Sequence, residues 1–115
     1  MDGRPQRKVA DYLTTSFGAR HLDTITTAGM VRHLVTDTEQ TPAIMSNLDM
    51  SIRRHGSRHI AVVAHHDCVG NPVPDKLQQD QVSMAVARVS QAHPETEVLG
   101  LWVDAHWIIS RVWPR

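Results

Sequence analysis

With 115 residues the chain is long enough for one domain that buries about two thirds of the surface its unfolded form exposes, so folding requires neither disulfide nor metal. Twelve Lys and Arg balance twelve Asp and Glu, which removes the global field that attracts nucleic acid or an anionic membrane. One cysteine excludes an internal disulfide, no stretch is apolar for long enough to span a bilayer, and the first thirty residues hold no signal-peptide core, so a soluble, cytoplasmic protein is expected.

From the amino terminus, Pro5 to Phe17 predicts a helix: Pro5 suits a first turn, Val9, Tyr12 or Leu13, and Phe17 fall at helical spacing, and Gly18 ends it. A short strand is expected near His21 to Thr26, then a turn at Thr27-Ala28-Gly29 and a short helical piece from Met30 to Leu34. Thr41 reads as an N-cap with Pro42 behind it, and Ile44, Leu48 and Ile52 form one apolar stripe of a helix stopped by Gly56. His59 to Ala64 is a continuous apolar run, the mark of a strand covered on both faces. The stiff loop Val69 to Pro74 leads to a helix from Asp75 to about Ala92, with Leu77, Val82, Ala85, Val86 and Val89 turned inward. Val98 to Val103 is a second buried strand, and Trp107 to Trp113 a last one paired with it through Asp104-Ala105-His106. This alternation predicts an α/β domain: a mainly parallel sheet flanked by helices, with an additional carboxyl-terminal strand. Such sheets bind ligands outside the carboxyl ends of their strands. They also ordinarily begin with a strand, whereas this chain begins with a loop and a helix.

The chemistry concentrates at His65-His66-Asp67-Cys68, at the end of the first apolar strand. It holds the one cysteine, three residues from a histidine, and a thiolate with an imidazole is a donor pair suited to zinc. His66 and Asp67 are candidates to relay protons or orient ligands. The remaining histidines, His21, His33, His55, His59, His93 and His106, stand among polar neighbours and read as surface or half-buried. Trp102, Trp107 and Trp113 read as packing or a dimer contact, and the basic clusters Arg4 to Lys8 and Arg111 to Arg115 as solvated surface. Ahead of the first helix, Asp2 and Arg4 stand two apart and can form an ion pair facing the same cleft. No glycine-rich phosphate loop, internal repeat or linker is present.

In these residues the chain resembles the β-class carbonic anhydrases. That family carries Cys-x-Asp-x-Arg after its first strand and His-x-x-Cys after its third, and the two cysteines and the histidine bind zinc. Asp2 and Arg4 match the first motif, and His65 and Cys68 the second. Met1 takes the variable position, so the first cysteine would fall just before it. The order of elements agrees along nearly the whole chain, with one departure: Val69 stands between Cys68 and Gly70, where the family usually has Gly directly after the cysteine.

The resemblance implies a single domain over residues 1–115, incomplete at its amino terminus and lacking the first strand and first cysteine ligand. It implies Zn2+ held by His65 and Cys68, with Asp2 a candidate further ligand. Three-ligand zinc lowers the pKa of a bound water to about 7. Asp2 would accept a hydrogen bond from the hydroxide so formed, and Arg4 would keep Asp2 charged and oriented. Carbon dioxide and bicarbonate are the implied substrate pair, and a homodimer or higher homo-oligomer the implied assembly, with no nucleic-acid or membrane partner. Two alternatives stay open: a related hydrolase of carbonyl sulfide or carbon disulfide, and a metal-free protein that keeps only the fold.

Overall fold

The computed structural model describes residues 1–114, so Arg115 of the basic carboxyl end lies outside them. Its elements are α1 (Gly3–Phe17), α2 (Met30–Val35), α3 (Thr41–His55), β1 (His59–His65), α4 (Asp75–Ala92), β2 (Glu97–Val103) and β3 (Ile109–Trp113). One three-stranded sheet, in the order β1-β2-β3, carries helices on its faces. The α/β expectation holds, but the sheet is mixed rather than mainly parallel. His59–His65 runs parallel to Glu97–Val103, while β3 returns antiparallel with Leu101 opposite Arg111 and Val103 opposite Ile109. The long α4 makes the parallel pair possible, because parallel neighbours need a crossover.

The core lies between the sheet and α2, α3 and α4. Val62 and Ala64 of β1 and Trp102 of β2 meet Val31 and Leu34 of α2, Ile44 and Leu48 of α3, and Val82, Ala85, Val86 and Val89 of α4. The apolar run of β1 is not covered on both faces. Val62 and Ala64 are buried on the core side, while Ala61, Val63 and His65 are half-buried on the other, because β1 is the edge strand and cover on that face centres on Leu99, Leu101 and Val103 of β2. Pro5 is the one buried residue of α1. Within α4, Leu77 is 45% exposed and its neighbour Gln78 takes the inward position with 1% exposure.

Residues 19–27 form no strand, contrary to the expectation for His21 to Thr26. A strand needs a partner, and β1 has its second strand only on the β2 side. The segment is held by side chains instead: Asp23 Oδ2 lies 2.6 Å from both Ser51 Oγ and His55 Nδ1 of α3, and Ile25 packs on the core. These two contacts, Ser51 first and His55 second, lower the Asp23 carboxyl below its ordinary range.

Local boundaries differ where side chains intervene. Thr41 opens α3 as a helical residue rather than its cap, because its hydroxyl donates to His33 O at 2.6 Å and accepts from Thr38 N at 2.9 Å. His33 and His93 are buried rather than surface or half-buried. β3 starts at Ile109 rather than Trp107, since Asp104 prolongs the preceding turn.

Candidate functional site

Two amino-terminal residues are ordered by the helix they introduce. Asp2 is the N-cap of α1, and its Oδ1 accepts the Arg4 N–H at 2.9 Å, satisfying one of the helix's free donors. The Arg4 guanidinium folds back on the same carboxylate: Nε lies 3.1 and 3.0 Å from the two oxygens, and Nη2 donates to Oδ2 at 2.6 Å. Its other edge reaches the loop after β1, with Nη1 3.3 Å from Asp67 Oδ2 and Nη2 3.2 Å from Asp67 O. The Arg4 side chain, and then its backbone N–H, holds the Asp2 carboxyl down at about 2. Asp2 foremost, with Asp67, pushes Arg4 above its usual range.

His65 closes β1 on the α1 side of the sheet, and its Nε2 stands 3.8 Å from Asp2 Oδ2. Its Nδ1 lies 2.7 Å from His66 O. A carbonyl only accepts, so in the neutral ring Nδ1 carries the proton and Nε2 keeps a free lone pair toward Asp2. The His65 carbonyl is held in turn by Gln78 Nε2 at 3.1 Å. The other end of that amide, Gln78 Oε1, is buried and has no partner among the described residues. His66 turns away to the start of α4, where Nδ1 meets both oxygens of Asp75 at 3.0 and 2.9 Å.

Cys68 is half-buried and free. Its loop is placed by backbone contact with the turn at residues 27–29. A Cβ on Gly29, at φ 65°, would stand 2.3 Å from Gly70 O, and one on Gly70 would stand 2.5 Å from Ala28 C and Gly29 N. Only glycines at both positions allow this approach. The turn is fixed from beneath by buried His33, whose Nε2 donates to Ala28 O at 3.0 Å while Nδ1 accepts from Thr38 Oγ1 at 2.6 Å.

The structure therefore gathers Asp2, Arg4 and His65 at the carboxyl end of β1, adds Asp67 to them, and sends His66 elsewhere. Cys68 follows in the same loop. Gln78 and Trp107, whose ring lies 4.9 Å from Arg4 Cζ, were not recognised as site residues from sequence. A signal for Gln78 existed: stepping back four residues from Val82 in the inward series lands on 78, not on 77. Nothing in the sequence marks Trp107.

Among the described residues no group of three or more His, Cys, Asp or Glu side chains is placed to hold a metal ion. The donor chemistry suits zinc at two positions, an imidazole nitrogen of fixed tautomer and a thiol. Asp2 does not fit as the third donor, because both of its oxygens are engaged by Arg4. No helix among the described residues is long and apolar enough to cross a membrane. A family model described as "Putative carbonic anhydrase" matches residues 1–113. No curated protein and no solved structure matches the chain.

Proposed function

The chain belongs to this carbonic-anhydrase-like family, and on that premise we propose that its site serves the reversible hydration of carbon dioxide to bicarbonate. The observation that carries the reading is the Asp2–Arg4 pair beside His65, with Asp2 Oδ2 3.8 Å from Nε2. A carboxylate held at a pKa of about 2 stays an acceptor at every physiological pH, and Arg4 fixes which way it faces. It can therefore orient a nucleophile that donates a proton to it, without itself taking the proton. His65 is held as a donor of its Nε2 lone pair by His66 O, and its backbone is held by Gln78.

Zinc on three protein ligands supplies hydroxide at neutral pH, and His65 and Cys68 are two of the ligands in this reading. The third is a cysteine on a further strand lying against the unpaired edge of β1, as the sequence resemblance implies. Two features support that placement. The Met1 amine lies 3.3 Å from Thr27 O, so the residues ahead of α1 lie against the turn that positions the Cys68 loop. Gln78 Oε1, close to His65, is a buried acceptor without a donor among the described residues. We include a homo-oligomer in the proposal, supported by the half-covered stripe of α1 and by exposed Ile108 (60%) and Trp113 (48%). We place the protein in the cytoplasm, where the Cys68 thiol stays reduced.

A second reading is a metal-free protein that retains the fold, favoured by the absence of a three-donor group among the described residues. Stopped-flow carbon dioxide hydration separates the two, using the chain with an apolar strand ending in cysteine fused ahead of Met1. The first reading expects hydration that falls on the order of 100-fold in Asp2→Asn, the size of one lost preorganised hydrogen-bonding group. A zinc-loaded fusion without hydration activity refutes it.

A further inference from the structure

Among the described residues two non-glycine residues have positive φ, Asp67 (59°) and Trp107 (61°). They lie in different loops, one after β1 and one between β2 and β3, yet both meet the Arg4 guanidinium. Asp67 binds it through Oδ2 and its carbonyl, at 3.3 and 3.2 Å. Trp107 lays its ring against the cation, 4.9 Å from Cζ to centroid. Aspartate enters the left-handed region readily, whereas a residue as bulky as tryptophan there is an outlier held in place by its surroundings.

The surroundings that hold it are the hydrogen bonds centred on Asp104. Its Oδ1 accepts the N–H groups of His106 at 2.8 Å and Ile108 at 3.0 Å, its carbonyl accepts Trp107 N–H at 2.9 Å, and its N–H donates to Ile108 O at 3.0 Å. With the chain tied on both sides of residue 107, its backbone turns left-handed and its indole faces the start of α1 rather than joining β3. Trp107 also lines an open groove of about 520 Å³ together with Lys8, Tyr12 and Thr15.

We propose that Trp107 is a positioning residue: its indole, presented by the strained Asp104 turn, fixes the plane of the Arg4 guanidinium and so holds the Nε edge on Asp2 beside His65. Hydrogen bonds to Asp2 and Asp67 occupy the two edges of the guanidinium but leave rotation out of their common plane to be limited by the face. The indole over the guanidinium supplies that limit, with cation–π attraction adding to it. The consequence for catalysis rests on the carbon dioxide reading above; the geometric claim does not.

The test uses the full chain and the side-chain Nε–H resonance of Arg4 in three variants. Trp107→Phe keeps an aromatic face on the same backbone, Trp107→Leu keeps bulk without one, and Trp107→Gly removes the ring and relieves the positive φ. In the wild-type chain and in Trp107→Phe the Arg4 Nε–H is shifted by the ring current and exchanges slowly. In Trp107→Gly and Trp107→Leu it exchanges about 2- to 5-fold faster, toward the rate of a solvated arginine. The thermal midpoint of Trp107→Gly stays at or above that of Trp107→Leu, since the glycine adopts φ 61° freely. Unchanged exchange in Trp107→Leu overturns the proposal, because Asp2 and Asp67 then suffice. Equal acceleration in Trp107→Phe overturns it as well. If the exchange pattern is as expected while the zinc-loaded fusion never hydrates carbon dioxide, Trp107 remains the positioner of Arg4 and only the catalytic reading is refuted.

Discussion

The contact between Gly29 and Gly70 places the Cys68 loop, and its strength is measurable by comparison with a glycine that makes no contact. Gly56 closes α3 at φ 71°, and a Cβ there meets nothing within 4 Å. Gly29 has nearly the same φ, 65°, but its Cβ would stand 2.3 Å from Gly70 O and 2.5 Å from Gly70 C. Alanine at either position takes on the left-handed conformation, at a cost of about 1–2 kcal/mol. Gly29→Ala must also displace backbone rather than a flexible side chain, adding about 2 kcal/mol or more on the scale of overpacked interiors. For a domain of this length 1 kcal/mol corresponds to roughly 4 °C in Tm. Thermal unfolding followed by circular dichroism should therefore show Gly56→Ala lower by about 4–8 °C and Gly29→Ala lower by about 12–16 °C. Two variants within about 4 °C of each other would refute the close approach, because backbone strain alone would then account for both.

Other consequences are equally direct. The Asp2 carboxyl is depressed to about 2, so the stability it contributes is complete above its ordinary value near 4 and is lost as pH falls through 2. Wild-type Tm should thus fall between pH 4 and 2 by more than that of Asp2→Asn, and parallel acid profiles would contradict this. Gln78→Leu removes the bond to His65 O together with the buried orphan oxygen, so its unfolding free energy should stay within about 1 kcal/mol of wild type, whereas Gln78→Glu, which buries a carboxylate or its proton, should lose about 3 kcal/mol or more in urea melts. Along β1 the bonds Glu97 N to Arg58 O and His66 N to Val103 O set even-numbered residues against β2. Amide exchange should accordingly be slow at Ile60, Val62, Ala64 and His66 and fast at Ala61, Val63 and His65; protection of both sets in dilute chain would mean that the free edge is occupied.

The sequence reading was strongest where a periodic pattern and a fold-level demand agreed. The stripe Ile44, Leu48 and the series Val82, Ala85, Val86, Val89 placed α3 and α4, and the apolar runs placed β1 and β2, because each pattern had a partner to bury against. His21 to Thr26 carried strand-forming residues but is tied to α3 through Asp23 rather than laid along the edge of β1, and strand propensity without backbone pairing does not produce a strand. Leu77 and Gln78 reversed because helical phase, set by Val82 and Val86, outweighs the hydrophobicity of one residue at the helix start. Of the candidate site, the meeting of Asp2, Arg4 and His65 was legible because the two motifs place them at the mouth of β1. The Arg4 contacts to Asp67 and Trp107 were not, since they depend on backbone angles set by turn hydrogen bonds between residues distant in sequence.

The central claim is that His65 and Cys68 are two ligands of a zinc site whose third donor the described residues do not provide. Its most direct test is metal stoichiometry by inductively coupled plasma mass spectrometry after dialysis against a weak chelator. The samples are the 115-residue chain, the fusion that brings a strand ending in cysteine to the edge of β1, and that fusion carrying Cys68→Ser. The account predicts substoichiometric zinc in the first, one zinc per chain in the second, and loss of it in the third. Full zinc retained in the third sample would contradict it, since Cys68 would then be no ligand.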